Sequence, residues 1–139
     1  MRRRKTEVVV QLFITSIKDA PTKITELLEI KPTETWLRGT PISQTSGVLR
    51  RTSGWKILSP LAGKKGPEEQ VDALIKVVKT RISRFRKLPH STRIDLSCAI
   101  YAEDDSQRVF SFSKQAIRVL AEIGASINVA YYCPAVSSS

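Results

Sequence analysis

At 139 residues and 41% apolar content, the chain has the size of one ordinary globular domain, able to bury roughly two-thirds of its unfolded surface. Its 23 Lys and Arg against 13 Asp and Glu leave a formal charge of +10, which favours an acidic partner such as nucleic acid, an anionic surface or an acidic protein without specifying one. Two cysteines are too few for a disulfide framework, no apolar run approaches the ~20 residues that span a bilayer, and a single histidine excludes a His-based metal cluster.

Residues 1–5, MRRRK, read as a frayed basic arm, 6–134 as one domain and 135–139 as a small polar tail. The start imitates a signal peptide, but Glu7 and Gln11 interrupt its apolar part and no small-residue cleavage site follows. A cytoplasmic chain with reduced, buried cysteines is expected.

Residues 7–16 alternate, with Val8, Val10, Leu12 and Ile14 on one face and Val9, Gln11, Phe13 and Thr15 on the other. This is a strand, and its largely apolar second face predicts a central one. A helix follows, with Asp19 as expected N-cap, Pro21 in the first turn, an Ile24, Leu27, Leu28 stripe, and an end near Ile30 because Pro32 disfavours helix at Lys31. Residues 35–38 form a second strand and 39–47 a loop. Residues 48–59 form a third strand with Trp55 and Ile57 on one face, and Gly54 marks a bulge or a close approach.

The longest predicted helix runs from about residue 67 to 88. Acids lie at its start, bases crowd its second half, and Val71, Leu74, Ile75, Val78, Ile82 and Phe85 form one stripe. Residues 92–101 alternate as a strand with Ile94, Leu96, Cys98 and Ile100 inward. Ser111 or Ser113 caps a helix that ends before Gly124, and 127–133 make the last strand. The order β-α-β-β-α-β-α-β predicts an α/β (α+β) sandwich, a mixed sheet with helices packed on it, and its first six elements follow ferredoxin-like connectivity.

The stretch 21–39 together with Gly54 and Trp55 resembles a family of small bacterial domains of unknown function. The resemblance rests on an Ile-Thr-x-Leu-Leu-x-Ile-x-Pro helix end (Ile24, Thr25, Leu27, Leu28, Ile30, Pro32), then Gly39 and Trp55. It implies the same order of elements and no activity, cofactor or catalytic residue. The chain departs from the pattern in its basic arm, in the Lys/Arg-rich half of its long helix, and at Glu29, where the family commonly carries Gly.

No catalytic constellation emerges. His90 follows a helix end, Cys98 sits at an inward strand position, and Glu103, Asp104 and Asp105 alternate in direction as a solvated turn does. Gly63-Lys64-Lys65-Gly66 precedes a helix but lacks phosphate-loop spacing. No cofactor and no metal are expected.

The residues singled out for binding are Trp36 and Trp55 with Arg38, Arg50 and Arg51, an aromatic and cationic set able to line a cleft or to cover a half-buried Trp. The first functional reading is a non-enzymatic domain that recognises a protein or peptide. The second is non-specific nucleic-acid binding through the arm (Arg2, Arg3, Arg4, Lys5) and the helix face (Lys76, Arg84, Lys87). A small hydrolase-like enzyme ranks third and would need Asp95 or Glu103 brought together with other carboxylates. No membrane partner is expected, and a homodimer through an edge at 48–59 is.

Overall fold

The chain is organised around β1 (Glu7–Ser16), whose strict alternation buries Val8, Val10, Leu12, Ile14 and Ser16 on one face and leaves the intervening residues half-buried. In this computed structural model, which describes residues 6–103 and 109–133, β1 lies between β3 (Ser53–Leu58) and β4 (Arg93–Tyr101), antiparallel to both. β2 (Glu34–Trp36) pairs antiparallel with β3, and β5 (Ala125–Tyr132) runs parallel to β4, so the order is β2-β3-β1-β4-β5.

The helices α1 (Pro21–Leu28), α2 (Pro67–Lys79), α3 (Ile82–Phe85) and α4 (Lys114–Glu122) cover the face that carries Val10, Leu12, Trp55, Leu96 and Cys98. The first four strands stand in the order 2-3-1-4, all antiparallel. That is two interleaved β-α-β units, the ferredoxin-like connectivity expected from the order of elements. α4 then carries the chain across to β5, a crossover that parallel pairing requires.

α4 begins at Ser113, whose hydroxyl accepts from the Ala116 N–H, and ends before Gly124 at φ 74°. α1 is capped differently from the expectation. Its N-cap is Ala20, while the Asp19 carboxylate accepts hydrogen bonds from Ser16, Lys23 and Ser91 and so fastens the end of β1 to the segment entering β4. Burial alone would raise the Asp19 carboxyl, but the hydrogen bonds from Lys23, Ser91 and Ser16 and the Lys23 charge outweigh it and hold it below the usual value.

α1 closes at Leu28, two residues early, because Glu29 adopts the left-handed conformation (φ 55°) and its N–H returns to the Thr25 carbonyl. Gly adopts this conformation without strain, and Glu29 takes it at some cost.

Two boundaries differ more substantially. The long helix is two helices, interrupted at Thr80 and Arg81. The Thr80 hydroxyl takes the Val77 carbonyl, Arg81 leaves helical geometry at φ −130°, and α3 is set separately so that Phe85 is buried. The third strand is shorter than residues 48–59. Residues 37–52 are largely an exposed excursion with one bridge, Pro41 to Leu49. β3 is also not an edge, because β2 occupies its outer side. Cys98 is buried as expected, whereas Cys133 is exposed, since it lies one residue past the end of β5 where no element covers it.

β3 stops short of the N-terminal half of β1, and the freed backbone of β1 is satisfied from elsewhere. The buried Gln70 of α2 accepts from the Val10 N–H at 3.0 Å and donates to the carbonyls of Val8 (2.7 Å) and Lys65 (2.8 Å). Ser59 and Gly63 donate their N–H groups to Val10 and Val8. One glutamine thus replaces part of a missing strand, which is why a polar side chain is fully buried in an apolar helix stripe.

Candidate binding face of the sheet

The four helices of the described residues lie on one side, and none of them covers the opposite face of the sheet. Register fixes its residues. The row Glu34, Lys56, Phe13, Asp95, Ser126 crosses all five strands, and beside it run Trp36, Gly54, Thr15, Arg93 and the row Gln11, Ser97, Asn128.

Trp36 sits opposite Gly54, and its indole lies where a Gly54 side chain would stand. The Arg50 guanidinium lies over the same indole, 4.7 Å from the ring centre, and Phe13 meets it at 6.2 Å with the rings tilted by 60°. The Lys56 ammonium lies 5.7 Å from the Phe13 ring centre and pairs with Glu34 at 3.0 Å. At the far side of the face Tyr101 and Tyr132 stack at 5.0 Å. Between the two aromatic groups the floor is uncharged: Val9, Gln11, Ser97, Ala99, Asn128 and Ala130.

The cations of this face are engaged. Lys56 pairs with Glu34, Arg93 pairs with Asp95 at 3.0 Å, and Asn128 donates to the same Asp95 carboxylate. Besides these paired charges the surface presents aromatic rings, amides and hydroxyls, with the Arg50 guanidinium stacked on Trp36 and Glu7 exposed opposite Tyr101, a mixture that suits contact with protein.

The residues singled out from sequence separate in space. Trp36 and Arg50 come together. Arg38 and Arg51 are exposed in the excursion beside them, where the Arg38 backbone N–H donates to Ser53. Trp55 lies on the opposite face of β3, fully buried, its indole N–H donating to the Thr25 hydroxyl at 3.0 Å. Trp55 is a core residue that ties β3 to α1, and Ile24, Thr25, Leu28 and Trp55 of the resemblance pattern are one packing unit.

Lys76 and Lys87 are exposed, but Arg84 belongs to a different helix from Lys76 and is half-buried. It binds the Leu27 carbonyl and the Glu29 carboxylate at 3.1 Å. Arg2, Arg3, Arg4 and Lys5 lie outside the described residues, as do Asp104 and Asp105. Asp95 and Glu103 stand eight residues apart along one extended run, on the order of 25 Å, and are not brought together. Gly63, Lys64, Lys65 and Gly66 line a cleft of about 930 Å³ with Val8, Ile100, Phe110 and Val129, against which no catalytic pair is set.

Sequence reading missed Phe13, Tyr101 and Tyr132 as site residues. A signal was present: each falls on the non-core parity of its own strand, where a solvated sheet face ordinarily carries polar residues. Burial in apolar surroundings pushes the Cys98 thiol up to about 11, so it is not a nucleophile at neutral pH. Among the described residues no cluster of His, Cys, Asp and Glu could hold a metal ion, and no helix is long and apolar enough to cross a membrane.

Neither the curated proteins nor the solved structures contain a match to the chain. A family match spans residues 6–134, and the chain belongs to the family described as Domain of unknown function (DUF4279).

Proposed function

We propose that this domain is a non-enzymatic binding module that recognises a protein or peptide partner through its open sheet face, centred on Trp36. The observation that carries this reading is the construction of that centre. A glycine in β3 makes room for an indole, Arg50 lies over it, Phe13 flanks it, and Lys56 and Arg93 on the same face are already paired. Tryptophan and arginine presented over an otherwise uncharged floor are the residue types that dominate protein–protein recognition energy. A cytoplasmic setting fits a chain whose two cysteines are free.

The test is selection of displayed random peptides on the immobilised full chain, followed by titration of the enriched peptides. Wild type should bind with a Trp36 fluorescence change that is little altered between about 50 and 200 mM salt, a range over which several phosphate contacts would lose orders of magnitude in affinity. Trp36→Ala and Arg50→Glu should each weaken binding by at least about tenfold, the loss of ~1.4 kcal/mol. Failure to enrich any peptide, or equal binding by both variants, refutes the reading. Oligonucleotide binding that falls steeply with salt and is lost in a Lys76→Glu/Lys87→Glu variant would favour the nucleic-acid reading instead.

A further inference from the structure

The two edges of the sheet differ in how they meet solvent. The β2 edge is three residues long and carries Glu34, the short and charged form that discourages strand addition. The β5 edge is eight residues long, contains no proline and no charge, and exposes Ile127, Val129 and Tyr132. No charged side chain occurs anywhere in the sequence after Glu122. Tyr132 accepts from the Ala102 N–H on the β4 side. By alternation Asn128 and Ala130 also turn their peptide groups towards β4, and Ala125, Ile127 and Val129 turn theirs outward, where no strand follows among the described residues.

We propose that this edge pairs with the β5 edge of a second copy, antiparallel about a two-fold axis through Asn128. Two observations select a second copy as the occupant. The first is register. With Asn128 opposite Asn128, Ile127 faces Val129 of the other copy on the helix side in a hydrogen-bonded pair, and the reciprocal pair follows from symmetry, so the strand is complementary to itself. The second is charge. Two chains of +10 repel over most of their surfaces, and β5 is an edge along which they meet with neutral residues only. The axis stands perpendicular to the sheet. Both helix layers fall on one side and both Trp36 faces on the other, forming a continuous ten-stranded sheet with two equivalent binding faces.

The full chain at up to about 100 µM, where a dimer with a Kd of ~10 µM is well populated, should sediment at twice its 15.5 kDa monomer mass. Val129→Pro removes an N–H that points away from β4, a substitution an edge strand tolerates. This variant should sediment as a monomer while its circular dichroism spectrum stays that of wild type. Asn128→Cys in a Cys133→Ser background should form a disulfide-linked dimer on mild oxidation, because residues facing each other in a non-hydrogen-bonded pair have Cα atoms ~4.5 Å apart, within disulfide range. Wild type that stays monomeric throughout, a dimer that survives Val129→Pro, or a failure of Asn128→Cys to cross-link overturns the proposal.

Discussion

Gln70 offers the sharpest test of how this sheet is completed. Gln70→Ala removes the acceptor of the Val10 N–H and the donor shared by the Val8 and Lys65 carbonyls, all within the fully buried end of α2. The Val8 carbonyl keeps the Gly63 N–H at 3.2 Å, so the decisive loss is the Val10 N–H, left buried and unpaired at about 1–3 kcal/mol. The emptied side-chain volume adds to that, for a total of about 2–4 kcal/mol. Urea unfolding followed by circular dichroism should show this as a lower midpoint at unchanged slope. Gln70→Glu keeps the shape and the acceptor for Val10 but sets an oxygen against two carbonyls, so it fits only when protonated. The folded state then raises the introduced carboxyl above its unfolded value of about 4.3. Stability should approach wild type below that pH and fall as pH rises through the raised value, which for so buried a site leaves the variant destabilised at pH 7. A loss under about 0.5 kcal/mol for Gln70→Ala, set against that 1–3 kcal/mol expectation, would show that the side chain does not stand in for the missing strand.

Glu29→Gly should stabilise the fold by about 0.5–1 kcal/mol, because relief of the left-handed backbone outweighs an exposed ion pair with Arg84; a lower denaturation midpoint would refute this. Gly54→Ala should drive the Trp36 indole off β3, since the new methyl would overlap its Cε2 and Cζ2 atoms. The expected cost is about 1–3 kcal/mol, from the lost Arg50 and Phe13 contacts, and a red-shifted Trp36 emission in a Trp55→Phe background is the readout. Native protein should release one equivalent of thiol to an aromatic disulfide reagent, from Cys133. A second, from Cys98, should appear only on unfolding, and rapid labelling of both would contradict the burial of Cys98.

How much of this was readable in the sequence varies with the physics of each element. β1 and β4 were legible because a sheet covered on one face forces a period of two, and a slip of one residue would expose Val10, Leu12 and Leu96 together. The ferredoxin-like order was legible because alternating strands and helices joined by uncrossed connections leave few alternatives. The break at Thr80 was not, since Val78, Ile82 and Phe85 would also lie on one stripe of a continuous helix. Nor was Gln70, which is buried only because β3 ends early, a fact set by pairing between distant segments. The separation of the two tryptophans is the same kind of fact. Alternation within β3 assigns Trp55 to the core, but the face of Trp36 depends on the pairing of Trp36 with Gly54 across an excursion of sixteen residues, 37–52. Gly54 was the one visible clue, an empty position beside a buried indole, and what fills it is the other indole.

The distribution of charge bears on where this protein can associate at all. The basic arm 1–5 contributes four cations with no anion, and Lys76, Lys79 and Lys87 add exposed charge on the helix side. On the open face, by contrast, Lys56 and Arg93 are spent on Glu34 and Asp95, and β5 has no charge to spend. Approach of a second copy or of any basic protein is therefore opposed along the arm, on the helix side and at Arg38, Arg50 and Arg51 beside Trp36, and unopposed at the β5 edge. Self-association through β5 leaves the Trp36 face uncovered, because strand addition extends a sheet in its own plane. The two surfaces can thus be occupied at the same time, and a partner with two suitable segments would gain avidity from the dimer that neither protomer offers alone.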